Sequence, residues 1–376
     1  MAVNPLFAIG SCGALLFIAG VLHVPITPLT AAVAALMAIA ISMQRRRKTK
    51  LSVADIALII PIVVIVVAAA VTPLHDYDGR AFWMLKAKGI AHDRSIEGPF
   101  FHHEELDPPR NDYPLLIPLD AAAVMLLTGS LDDRVPRFIY IAVFVAFAWL
   151  VREEIGPWAA ALLVWIPAIS AMPDGGAMSA YCDVALGAFA CGAFLEMVRG
   201  ESAWRFGAWV AFAALTKREG LPLALVLLVA GAFAFRKRIA PGLIAPVVAI
   251  AALMVWRARV APGDEENLFT LAPTLAQKLH RIPGAMFGLA QHLASPVWGL
   301  FWCAALVAVA LLALRRQWRD FTLAALVIGG GFAICIVAYS VTNWPQMDLI
   351  HASADRLLIH IAGPAVYALR RSTLPT

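Results

Sequence analysis

At 376 residues the chain could hold two or three soluble domains, but 61% hydrophobic residues, only 15% charged ones and a mean hydropathy of +0.78 exclude an ordinary water-soluble globule. The net charge of +5 would suit nucleic acid, yet the basic residues sit in short clusters between apolar runs, so no nucleic-acid partner is expected. Five cysteines (Cys12, Cys182, Cys191, Cys303 and Cys335), an odd number spread through apolar stretches, argue against a disulfide framework or a metal knuckle.

The chain opens on MAVNPLFAIGSCGALLFIAGVL, which lacks the basic start and small-residue cleavage site of a secretory signal and reads as a retained span. A crossing needs about 20 apolar residues. Candidate runs lie at 6–22, 28–43, 54–72, 135–151, 156–171, 181–197, 203–215, 219–235, 240–256, 297–314, 320–340 and 355–369, twelve in all. Basic residues resist translocation, so QRRRKTK at 44–50, Arg152, Arg199, Arg205, RKR at 236–238, RRQWR at 315–319 and Arg370-Arg371 mark cytoplasmic loops. With the first residue inside, these short loops hold 16 of the 30 Lys and Arg.

Two segments break the rhythm of short loops, 73–134 and 257–296, and both fall on the outer side. Loops of that length usually carry function. Within the first, LLIPLDAAAVMLL at 115–127 is too short to cross and carries Pro118 and Asp120, so it reads as an interfacial or re-entrant helix. The long loops have no counterpart in a second half of the chain, which disfavours a two-fold transporter.

Polar chemistry gathers on that outer side, where all nine histidines also fall. After the third span come Asp76 and Asp78, paired carboxylates, and then Lys86 and Lys88. In a helix starting near Asp78, Lys86 is eight residues on and shares its face. A carboxylate and an ammonium facing one groove can set a proton acceptor beside an anion site. Asp112-Tyr113-Pro114 precedes the interfacial helix, and Asp183 opens the sixth span, where it either caps the helix or serves the site. Thr216-Lys217-Arg218-Glu219-Gly220 turns between two apolar runs, and charges at such depth face a polar cavity or each other. His351, Ser353, Asp355 and Arg356 stand at the mouth of the last span, where Arg356 either snorkels or grips a lipid phosphate. His102-His103-Glu104-Glu105 is a weak metal candidate, because adjacent residues on one element point apart.

In order, Tyr77-Asp78-Gly79 with Trp83 and Lys86-Ala87-Lys88, Asn111-Asp112-Tyr113-Pro114-Leu115-Leu116, Tyr181-Cys182-Asp183-Val184, Leu215-Thr216-Lys217-Arg218-Glu219-Gly220, and His351 to Leu358 resemble the motifs of the GT-C membrane glycosyltransferases, in particular the bacterial aminoarabinose- and mannosyltransferase-like branches. The resemblance runs from about residue 54 to the last residues. It departs where Tyr77 replaces a Trp, where Arg110-Asn111 stand in place of a His, and where His360 replaces a Gln.

The resemblance implies an all-α membrane protein of about twelve spans, with residues 1–53 as two leading helices and a basic loop and 54–376 as the catalytic module. It implies an inverting glycosyltransferase in a bacterial inner membrane that takes a sugar from a polyprenyl-phosphate donor to a periplasmic glycan, lipid or protein. Asp78 would be the general base, with Asp76 as the fallback. Lys86, Lys217 and Arg356 would hold the donor phosphate, while Lys88, Asp112, Tyr113, Asp183, Arg218, Glu219 and His351 would line the substrate site. No cofactor or metal is expected. The alternative is a non-catalytic protein that binds or translocates a lipid carrier with the same cations.

Overall fold

The computed structural model describes residues 2–44, 52–102, 112–260 and 276–374. Among these, seventeen α-helices carry nearly all the regular structure, so the chain is all-α. The first two, α1 (Pro5–Val21) and α2 (Pro28–Ile41), form a hairpin with well-specified starts. The Asn4 side chain accepts the Phe7 N–H at 3.1 Å, Thr27 and Thr30 make a reciprocal capping box, and a proline follows each cap. A two-residue antiparallel pair, Ala2–Val3 with Met43–Gln44, closes the open end of the hairpin.

The chain continues through α3 (Val53–Val71), a π-helical stretch at Gly79–Met84, α4 (Leu85–Asp93), α5 (Leu116–Thr128), α6 (Arg137–Glu154), α7 (Pro157–Trp165), α8 (Pro167–Ser170) and α9 (Asp183–Arg199). It is completed by α10 (Ala203–Ala214), α11 (Gly220–Phe235), α12 (Ala240–Val260), α13 (Ile282–His292), α14 (Phe301–Leu314), α15 (Trp318–Val341), α16 (Gln346–Ile359) and α17 (Ala362–Ser372). Helix α9 is the axis of the bundle, since every residue from Asp183 to Met197 is buried. It packs on α6, α10, α11, α16 and α17.

Four helical stretches of the described residues are long and apolar enough to cross a membrane: Val53–Val71, Gly220–Arg238, Ala240–Val260 and Trp318–Val341. The other expected crossings ride on shorter helices, and the breaks have local causes. The run at 156–171 splits because Ile166 precedes Pro167 and is held extended (φ −75°, ψ 116°). Helix α10 has only 12 residues, about 18 Å of rise against a hydrocarbon core of about 30 Å. The last expected span, 355–369, is cut at His360 and Ile361, because Pro364 opens a new first turn in α17. Of the twelve expected spans, four are thus seen as long apolar helices among the described residues, with shorter helices at the others.

Helix α5 also differs from a surface-lying segment. Leu116 to Ala123 are buried without a gap, and the helix packs on α1, α2, α4 and α6, so it is inserted into the protein. The π-helical stretch has an i→i+5 winding wider than an α-turn. Asp78 and Lys86 flank it and meet different groups, Asp78 the Arg356 guanidinium and Lys86 the rings of Trp83 and Tyr113.

Several charged residues inside the bundle are paired across helices, while the buried Arg137 donates to the backbone carbonyls of Ala69, Thr72 and Met178 instead. Asp55 of α3 and Arg152 of α6 are both nearly fully buried and bonded to each other, and the Arg152 guanidinium also lies over the Trp149 ring at 4.8 Å. Asp55 additionally accepts the Ser52 N–H at 2.7 Å, which joins the start of α3 to the same pair. Arg152→Met, which leaves the Asp55 carboxylate buried beside an apolar chain, is expected to destabilise by about 3 kcal/mol. Thermal unfolding in detergent should also show that adding Asp55→Asn recovers part of the loss.

Candidate functional site

The densest polar cluster forms where the loop after α3, the loop before α9, the α10–α11 turn and α16 meet. The chain enters it through Asp76 and Tyr77 and turns at Gly79, which sits directly against the Ser179 carbonyl. A Cβ there would strike that backbone oxygen, so only glycine lets the two segments touch. The Asp78 N–H donates to the Tyr181 hydroxyl at 3.3 Å, and the hydroxyl donates in turn to Asp174 Oδ1 at 3.3 Å. These contacts fix the Asp78 backbone while its side chain makes no capping bond.

Arg356 comes from α16 and donates through Nη1 to Asp78 Oδ2 at 2.9 Å. Its guanidinium lies over the Tyr181 ring at 5.2 Å. The stem is closed in by Gly175, whose φ of +125° suits glycine and whose Cβ would come within 2.7 Å of Arg356 Cγ. The Arg356 Nε is buried with no acceptor.

Behind this pair lies a fully buried one. Asp183 Oδ1 accepts from Lys217 Nζ at 2.8 Å and faces His360 Nε2 at 3.0 Å, while Oδ2 has no donor. The capping reading of Asp183 falls, because Cys182 occupies the N-cap position and no side chain caps α9. Lys217 also reaches Glu219 Oε1 at 3.4 Å, so the internal pairing within the turn is made. The turn itself is held by Thr216 Oγ1 donating to the Phe212 carbonyl at 2.6 Å and by the Leu116 N–H bonding the Leu215 carbonyl at 3.0 Å.

A second cluster adjoins it. Lys86 is fully buried, with its ammonium 5.4 Å from the Trp83 ring centre and 5.2 Å from that of Tyr113. Arg218 lies 5.7 Å from the Tyr113 ring centre, and Arg218 and Arg257 share Asp112 Oδ2 at 3.0 and 3.1 Å. Aromatic faces here stand in for part of the water these cations have lost.

Other expected members lie elsewhere. Lys88 is paired with Asp133 at 3.4 Å and is half exposed. His351 is exposed on α16 and its Nδ1 is 3.4 Å from His292 Nε2. His292 Nδ1 is 3.2 Å from Asp355 Oδ2, and Ser295 donates to the other Asp355 oxygen at 2.9 Å. Asp76 does not join Asp78. Its carboxyl is pushed above the ordinary carboxylate range, chiefly by burial and also by the Asp174 charge, with Arg137 and His75 acting the other way. Asn111 and His103-Glu104-Glu105 lie outside the described residues, and among the described residues no group of three or more His, Cys, Asp or Glu is arranged to hold a metal ion.

Arg257 and Asp174 are members that the sequence reading passed over, and His292 was noted only among the nine outer-side histidines. Arg257 carried a usable signal, a cation at the end of an apolar run opposite the RKR cluster, where the charge bias disfavours one. The partners of His292, His351 and Asp355, lie in a distant segment of the chain.

Away from this cluster, an apolar groove of about 650 Å³ runs along one face of α6, lined by Ile141, Val145 and Trp149, with Val66 of α3 and Pro5 of α1 at its sides. No protein-family model, no curated protein and no solved structure matches the chain.

Because the Gly79 contact is backbone against backbone, Gly79→Ala is expected to cost about 1–3 kcal/mol and to displace Asp78. Gly329, on α15 with open space around it, is the control: Gly329→Ala should leave the melting temperature unchanged or raise it.

Proposed function

We propose that the chain is an inverting membrane glycosyltransferase of the GT-C kind, using a polyprenyl-phosphate sugar as donor and acting on an acceptor at the periplasmic face of a bacterial inner membrane. The observation that carries the reading is the meeting of Asp78 and Arg356 at 2.9 Å, 278 residues apart in sequence, with Lys217 and Asp183 buried behind them. A carboxylate beside a forked cation is the pair such a transfer requires. Asp78 takes the proton of the acceptor hydroxyl or amine, the freed lone pair attacks the anomeric carbon, and the bond from that carbon to the phosphate oxygen breaks. Arg356, with Lys217 behind it and Lys86 in the adjoining cluster, stabilises the charge gathering on the departing polyprenyl phosphate. Attack opposite the leaving group inverts the anomeric centre.

Support for the donor class comes from Lys217, which lies in the turn between the apolar helices α10 and α11, and from Arg356, whose forked guanidinium suits a lipid phosphate. The rival reading, a lipid-carrier binding or translocating protein without catalysis, is favoured by one fact: the Asp78 carboxylate is already engaged by Arg356.

A transfer assay with polyprenyl-phosphate sugar separates the two. Folded Asp78→Asn is expected to lose turnover by about 100-fold or more while still binding the lipid. Full activity in that variant would remove the assigned base, and activity with soluble nucleotide sugars alone would remove the donor class.

A further inference from the structure

Four cations around the site already face internal carboxylates. Arg356 faces Asp78, Lys217 faces Asp183 and Glu219, and Arg218 with Arg257 faces Asp112. An arriving anion therefore has to replace a carboxylate. The three pairs differ in how easily they yield. Asp183 has no exposed side-chain surface and is held by two partners on one oxygen. Asp112 is only 10% exposed and is shared by two guanidinium groups. Asp78 is 29% exposed and its side chain has a single ion-pair contact, at the entrance to the π-helical stretch.

Arg356 is suited to an exchange of partners. Its guanidinium is fixed by the Tyr181 ring beneath it and by Gly175 against its stem, so it stays in place when its acceptor changes. Its buried Nε has no acceptor, and a tetrahedral phosphate, unlike the single oxygen now bound, can take Nε and an Nη together. A carboxylate bonded to a guanidinium also has that oxygen blocked as a proton acceptor. The contact engages Oδ2 alone, so the Asp78 side chain is held on the cation through one oxygen.

We infer that the Asp78–Arg356 ion pair is a place-holder: the phosphate of the lipid-linked donor displaces Asp78 from Arg356, and the displaced carboxylate, with both oxygens released from the cation, accepts the proton of the acceptor. The inference rests on the donor reading above. It orders the reaction, with donor first and acceptor activation second. No covalent bond changes in this step. One charge-assisted hydrogen bond is exchanged for another, and Asp78 moves towards the side from which the acceptor enters.

The test is equilibrium binding of polyprenyl monophosphate to the full chain in nanodiscs, with polyprenol and inorganic phosphate as separate ligands. Removing the internal competitor makes Asp78→Asn bind the lipid phosphate about 5-fold tighter than the wild type. Arg356→Gln weakens binding about 10-fold or more, and Asp78→Asn added to Arg356→Gln brings no gain, since the competition is gone. Asp133→Asn removes the same charge beside Lys88, away from Arg356, and leaves the affinity unchanged. Equal or weaker binding by folded Asp78→Asn, or an equal gain from Asp133→Asn, overturns the place-holder while leaving the donor class intact. No binding of the lipid phosphate by the wild type, or binding of inorganic phosphate alone, overturns the donor class as well.

Discussion

A charge withdrawn from water into an apolar bundle is costly until polar groups meet it, and pairing with an opposite charge joins several of these helices. Asp55 ties α3 to α6 through Arg152, Asp183 ties α9 to the α10–α11 turn through Lys217 and to the end of α16 through His360, and Asp320 ties α15 to α17 through Arg371 and Tyr367. Apolar packing between helices is permissive, because one face of alanine and leucine fits another almost equally well. The ion pairs are selective. Each admits one neighbour and one register, and together they choose the partners of the central helix.

The same requirement shapes the candidate site. Its cations have not been left open for a ligand; they are met by Asp78, Asp183, Glu219 and Asp112, and by the rings of Trp83, Tyr113 and Tyr181. On the proposed donor reading, stability of the protein and binding of a phosphate would be opposed at one place. The compromise is graded by burial, from the sealed Asp183 cluster to the partly open Asp78 pair.

Much of this was legible in the sequence because apolar runs and the residues that interrupt them are local signals. Helical class, the tight turn at Thr216 to Gly220 and the polar character of the α16 start follow from such runs. The break before Pro167 and the cut at His360 were also local, but a hydropathy window averages across them. The π-helical stretch at Gly79–Met84 had no such signal, since it accompanies the close approach of Gly79 to Ser179. Partner choice was the least legible part. Nothing local in the sequence says that Arg356 will meet Asp78 and Lys217 will meet Asp183, because those pairings are decided by tertiary arrangement.

The contact between Asp183 and His360 joins residues 177 positions apart, and the one between Asp78 and Arg356 spans 278. Contacts of such separation form late, after the local hairpins, because closing a long loop has an entropic cost that only later contacts offset. While α16 is still undocked, Asp183 is left with one of its two partners and Asp78 with none from that helix. An incompletely assembled chain thus carries poorly matched carboxylates in the bundle, a costly state that cellular quality control can distinguish from the finished protein. Completion of the site and completion of the fold are the same event.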